Sequence, residues 1–146
     1  MGSTGWRRVL RDEGGQSFVE FALILPVFVL FIAGLLQTGV FFYREVTLND
    51  AVRAASRAAI TCRVSPNAPN SPGQVGTNAA NGLNVTWTIQ NIDTGGSSSG
   101  SCQGLNAQPS NRLNVSGNAS MGNLGFPILG SIFPSTDTKT VQVVVE

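Results

Sequence analysis

Apolar residues follow one another almost unbroken from Phe21 to Tyr43, and none of the positions from Phe21 to Phe42 is charged. As a helix that rises about 1.5 Å per residue, this run reaches ~33 Å, enough to cross a hydrocarbon core of ~30 Å. An ordinary secretory signal has a shorter apolar region that ends at a small-residue cleavage site. Here Ala33-Gly34 is followed by further apolar sequence, so the run reads as a spanning helix. Pro26, near its start, removes the hydrogen bond to the Ala22 carbonyl, and a local kink is expected there.

Beyond Tyr43 the pattern changes without breaking the helix. Residues 43–62 contain no glycine or proline and are rich in alanine, a composition that favours helix. Leu48, Ala51, Val52, Ala55, Ala58, Ala59 and Cys62 recur at three- and four-residue steps, while Glu45, Asn49, Arg53 and Arg57 fall mostly on other faces. One helix from about Ser17 to about Cys62 follows.

The Pro- and Asn-rich stretch Ser65–Gly73 ends it, and a short turn is expected at Asn78–Gly82. Leu83–Gln90 alternates strictly, with Leu83, Val85, Trp87 and Ile89 on one face, and reads as a strand. Thr94–Ser101 reads as a flexible loop, Arg112–Ser116 as a second strand and Phe126–Pro134 as an apolar loop or single turn. The segment from Thr138 to Glu146 reads as a third strand, with Val141, Val143 and Val145 on one face. A sheet with one apolar face must cover it, and residues 43–62 form the only long helix available. The expected fold is α+β: a long N-terminal transmembrane helix whose outer half packs on a small antiparallel β-sheet. The expected division is a leader at 1–15, a helix at 16–62 (21–43 in the membrane, 44–62 amphipathic) and a small β-rich domain at 63–146.

Charge and composition narrow the functions. A net charge of +1 gives no electrostatic support to a nucleic-acid partner. There is no histidine, so the usual acid–base group is missing and a Cys–His nucleophile is excluded. Asp93, Asp137 and Glu146 are scattered, and neither an enzyme nor a cofactor is expected. Two cysteines without histidine do not make a four-ligand metal site. Cys62 and Cys102 are expected to form a disulfide that closes a loop of 41 residues, which contributes about 4 kcal/mol less any strain. Two unpaired buried cysteines are the alternative. A disulfide requires an oxidising compartment, which places the C-terminal part outside the cytoplasm. Arg7, Arg8 and Arg11 precede the apolar run, but Arg44, Arg53, Arg57 and Arg63 follow it, so arginine counts alone do not set the orientation.

Glu20 borders the charge-free run. At the interface it can snorkel into water. If the chain were cut after Gly15, Gln16 would carry a new amino group one helical turn away, and that amine or a neighbouring helix's amine would neutralise the carboxylate.

Gly15, then Glu20 and Phe21, then an apolar helix resembles the class III signal of type IV prepilins. More narrowly, Gly-Gln-Ser-Phe-Val-Glu-Phe-Ala-Leu-Ile-Leu-Pro at 15–26 resembles the opening of the TadE/TadG-like pseudopilins of tight-adherence (Flp) pilus systems. Gln37-Thr38-Gly39 and the alanine-rich segment Asn49–Ala59 continue the resemblance. It implies a prepilin peptidase cutting between Gly15 and Gln16, and Glu20 guiding the subunit into a pilus base. It also implies pilin and pseudopilin partners, and a bacterial inner-membrane protein with its C-terminal domain outside before it joins the pilus. Gln16 stands where ordinary type IV pilins carry Phe. The long C-terminal part suits a minor pseudopilin rather than a short major pilin. A membrane-anchored binding module or adhesin, acting through the Asn/Ser/Thr-rich segment 64–146, is the alternative.

Overall fold

The computed structural model describes residues 13–61, 71–121 and 135–145, with side chains from residue 17 onward. The expected leader up to residue 12, Cys62 and the apolar segment Phe126–Phe133 lie outside the described residues. The chain divides into two compact units between Thr38 and Gly39.

Helix α1 runs Glu13–Ile60, ~72 Å at helical rise, and Pro26 lies inside it. In the first unit its side chains are almost all exposed. Phe18, Leu23, Phe28 and Phe31 are each more than half exposed, whereas Ala33 and Gln37 are buried. The helix is long and apolar enough to cross a membrane, with a mean hydropathy of 2.6 over its most apolar window.

The second unit is built around the rest of α1. Leu48, Ala51, Val52, Ala55 and Ala59 are fully buried there, on the stripe that the three- and four-residue spacing marks out. Small side chains on this stripe bring the sheet close to the helix backbone. The polar residues of the segment satisfy themselves locally: Thr47 Oγ1 donates to the Tyr43 carbonyl, Asn49 Nδ2 to that of Glu45 and Ser56 Oγ to that of Arg53.

Helix α2, Pro72–Ala79, stands where the sequence pattern predicts a helix breaker followed by a turn. Ser71 caps it, accepting from the Gln74 N–H, and Pro72 occupies the first turn, where a proline lacks only a donor that has no helical acceptor. Strands β1 (Val85–Asn91), β2 (Ser97–Ser98), β3 (Arg112–Ser120) and β4 (Thr136–Val144) form one antiparallel sheet in the order β2-β1-β3-β4. Register aligns Thr88 with Ser116 and Ser116 with Thr140 across the three long strands. One face carries Trp87, Ile89, Leu113, Val115, Ala119 and, beyond β4, Val145; these join Leu48, Ala51, Val52, Ala55 and Ala59 in a single core with Leu105 and Met121. The other face presents Thr86, Thr88, Gln90, Asn114, Ser116, Asn118, Thr138, Thr140 and Gln142, with a single charged residue, Arg112, at the start of β3. Ser116 and Thr140 hydroxyls lie 2.9 Å apart, and Asn118 Nδ2 donates to Thr138 Oγ1 at 2.7 Å. The fold is therefore α+β, with the outer part of one long helix covering a small antiparallel sheet.

Trp87 sits where three glycines permit it. A β-carbon on Gly76 would stand 2.4 Å from Cζ2 of the indole, one on Gly100 3.0 Å from the Trp87 β-carbon, and one on Gly117 2.9 Å from Val52 Cγ2. The indole N–H donates to Thr77 Oγ1 at 2.9 Å, so the ring is buried with its polar atom satisfied.

Candidate functional site

The sequence places its functional signal on α1, and the helix carries it as a continuous surface. Gly15 and Gln16 lie within the helical span. Glu20 is exposed, as is Phe21 at 62 %. Among the described residues Glu20 has neither a salt-bridge partner nor a hydrogen-bond partner. The site residues expected from sequence thus stand along one helix, Gly15, Gln16, Glu20, Phe21 and Pro26 within three turns, in a surface of apolar side chains that no other described element of the first unit covers. Such a surface suits a lipid or protein environment that supplies apolar contacts.

Gly34 and Gly39 add room on this helix, since a β-carbon at either would meet nothing within 4 Å. Thr38 Oγ1 donates to the Gly34 carbonyl at 2.9 Å. Gln37 is only 5 % exposed, and its Oε1 has no hydrogen-bond partner among the described residues.

Charged residues in the second unit act as clamps. Lys139 Nζ on β4 lies 2.9 Å from Glu45 Oε1 on α1 and 3.2 Å from Asp137 Oδ2. Hydrogen bonding to Glu45, then to Asp137, raises the Lys139 ammonium above its ordinary pKa. Asp93 accepts the Arg112 backbone N–H through Oδ2 at 2.6 Å and the guanidinium through Oδ1 at 2.9 Å. Hydrogen bonds from the Arg112 side chain and backbone, with its charge, hold the Asp93 carboxyl below its ordinary pKa, against a smaller opposing effect of burial. Sequence spacing gave no sign of either clamp, because both join residues far apart in the chain. Arg44 Nη1 similarly donates to the Met121 carbonyl.

Among the described residues no three of His, Cys, Asp or Glu stand close enough to hold a metal ion. Cys102 is half-buried beside the core and is not a free thiol; the position of Cys62, its expected partner, is outside the described residues.

No curated protein and no solved structure matches the chain. Over residues 15–57, from Gly15 through the charge-free run and most of the alanine-rich stripe, the chain matches the family model described as TadE-like protein.

Proposed function

We propose that the protein is a minor pseudopilin of a Tad/Flp pilus, which works in initiation or assembly of the filament rather than by catalysis. The observation that carries this reading is one of coincidence. The residues that match the TadE-like model, 15–57, include both the exposed apolar surface of α1 and most of the stripe that holds the sheet.

In the proposed sequence of events, the chain waits in the bacterial inner membrane with residues 1–15 inside and the segment after residue 62 outside. A prepilin peptidase cuts after Gly15. The helix, loosened at Pro26, then exchanges lipid for the helices of other pilins. Glu20, with Phe21 beside it, pairs with an amine at the end of its own or a neighbouring helix, since a carboxylate that leaves the interface needs a partner. A Cys62–Cys102 disulfide ties the end of α1 to the loop before β3, in keeping with an extracytoplasmic domain.

The experiment that tests this is intact-mass and N-terminal peptide mass spectrometry on membrane fractions, with and without the prepilin peptidase. A mature chain that begins at Gln16 only when the peptidase is present supports the reading. A chain that retains Arg7, Arg8 and Arg11 in both samples overturns it. In that event the polar outer face of the sheet, on which Arg112 is the one charged residue, favours the second reading, a membrane-anchored binding module.

A further inference from the structure

A cavity of about 220 Å³ opens where Tyr43, Arg44 and Thr47 of α1 face the turn Asn81-Gly82-Leu83 between α2 and β1. Its chemistry is one-sided. Among the described residues that line it none is acidic, and one, Arg44, is a permanent cation. Arg44 Nη1 donates to the Met121 carbonyl, and hydrogen bonds of this kind leave the charge of the guanidinium in place. Asn81 Nδ2 donates to the Tyr43 hydroxyl at 3.1 Å. The phenol accepts in that bond, so its own O–H is left for a second acceptor.

The turn adds backbone donors. Ala80 is right-handed helical, with φ −71° and ψ −5°, and Asn81 is left-handed, with φ 49°. This succession turns neighbouring N–H groups to one side, an arrangement that cradles anions. The Ala80 N–H is used by the carbonyls of Gly76 and Thr77; those of Asn81 and Gly82 have no acceptor among the described residues.

We propose that this cavity is a binding site for a phosphoryl group. Its donors are the Arg44 guanidinium, the Tyr43 hydroxyl and the backbone of the Asn81–Gly82 turn. Two sources of phosphate fit the chemistry. Arg44 is the first charged residue after the apolar run, and tyrosine and basic residues at the end of a span stand at headgroup level. A phospholipid headgroup is therefore one source, and free phosphate or a soluble phosphate ester is the other. The headgroup source rests on the membrane-anchored reading above, whereas the donor set does not.

Tyr43 is the chain's one tyrosine, so ring-labelled tyrosine gives one NMR signal located at the cavity. The full chain in neutral detergent is titrated with inorganic phosphate, with short-chain phosphatidylglycerol and, as control, with chloride at matched ionic strength. A saturable shift with lipid and phosphate, with lipid alone or with phosphate alone supports the site and names its source. Arg44→Gln is expected to weaken saturation at least tenfold. So is Asn81→Asp, which puts a carboxylate at the exposed turn and leaves the core untouched. Arg53→Gln, exposed elsewhere on α1, is expected to leave it unchanged. No saturable shift with either phosphate compound, an equal shift with chloride, or unaltered saturation in both cavity variants overturns the proposal. None of these readouts depends on peptidase cleavage, so failure here is distinct from failure of the pseudopilin reading.

Discussion

The Lys139 ammonium of β4 donates to the Glu45 carboxylate of α1 at 2.9 Å, although 94 positions separate the two in sequence. The pair ties the edge strand of the sheet to the helix that covers it. Lys139 shares its face of β4 with Asp137, Val141 and Val143, so charge points inward on an exposed edge. Inward charge is one way that natural sheets discourage pairing with a foreign strand.

The elevated pKa of Lys139 fixes the sign of a pH effect. A cation whose folded pKa is raised contributes stability that is fully present below its unfolded value, about 10.4. That contribution is lost as pH rises through the higher folded value. Thermal melts of the full chain in detergent should show Lys139→Met less stable than the parent at pH 8, by about 1 kcal/mol or less for so accessible a pair. The gap should close at strongly alkaline pH. A gap that does not change with pH would mean that Lys139 acts through packing of its stem alone.

Asp93 works in the opposite direction. Its folded pKa is depressed by Arg112, so its contribution is present above about pH 4, the ordinary aspartate range. It fades as pH falls through the lower folded value. Asp93→Asn should lower the melting temperature at neutral pH and make progressively less difference below pH 4.

Adding a methyl group at Gly76 forces the Trp87 ring, 2.4 Å from that β-carbon, to move. Gly76→Ala should cost about 1–3 kcal/mol, the usual range for overpacking. In a Trp6→Phe background, which leaves Trp87 as the one indole, near-ultraviolet circular dichroism should report a displaced ring. An unchanged spectrum with unchanged stability would show that α2 yields without strain.

The two stretches of α1 should respond differently to alanine. Leu48→Ala, at a fully buried position, should destabilise the second unit by about 2–5 kcal/mol. Phe31→Ala, at a position 65 % exposed, should leave the melt of that unit unchanged and weaken retention in the membrane fraction. Equal effects of both changes on the melt would count against a helix with two separate duties.

On the proposed pseudopilin reading, Glu20→Ala should yield a chain that is still cleaved after Gly15 but no longer co-purifies with other pilins. Normal co-purification would remove Glu20 from the assembly step and return it to the role of an interfacial carboxylate.

Much of this architecture was legible because it rests on local periodicity. The stripe Leu48–Ala59 and the alternation of Val85, Trp87 and Ile89 each announce the face that is buried. The pattern predicts that β3 ends at Ser116, yet the strand continues to Ser120. The next inward position is Gly117, which shows no apolar side chain to a pattern search; it is glycine because Val52 and Trp87 approach it too closely for anything larger. β2 is two serines paired with Ile89 and Gln90 in a stretch whose composition spells loop. α2 was hidden by its own cap, since Ser71-Pro72-Gly73 starts a helix here with residues that elsewhere end one. The helix residues of the candidate site were readable in order along the chain, whereas the cavity between Arg44 and Asn81 depends on a tertiary contact that no spacing encodes.

The outer face of the sheet, with its rows of threonine, serine, asparagine and glutamine, sets a rule for whatever meets it. Ionic strength screens attraction between exposed charges over ~10 Å at 0.1 M salt, but away from Arg112, which Asp93 pairs at the start of β3, it has little to act on in these neutral rows. A contact made there keeps its strength from dilute buffer to brine, and is governed instead by how well the partner replaces the water that the hydroxyl and amide groups hold.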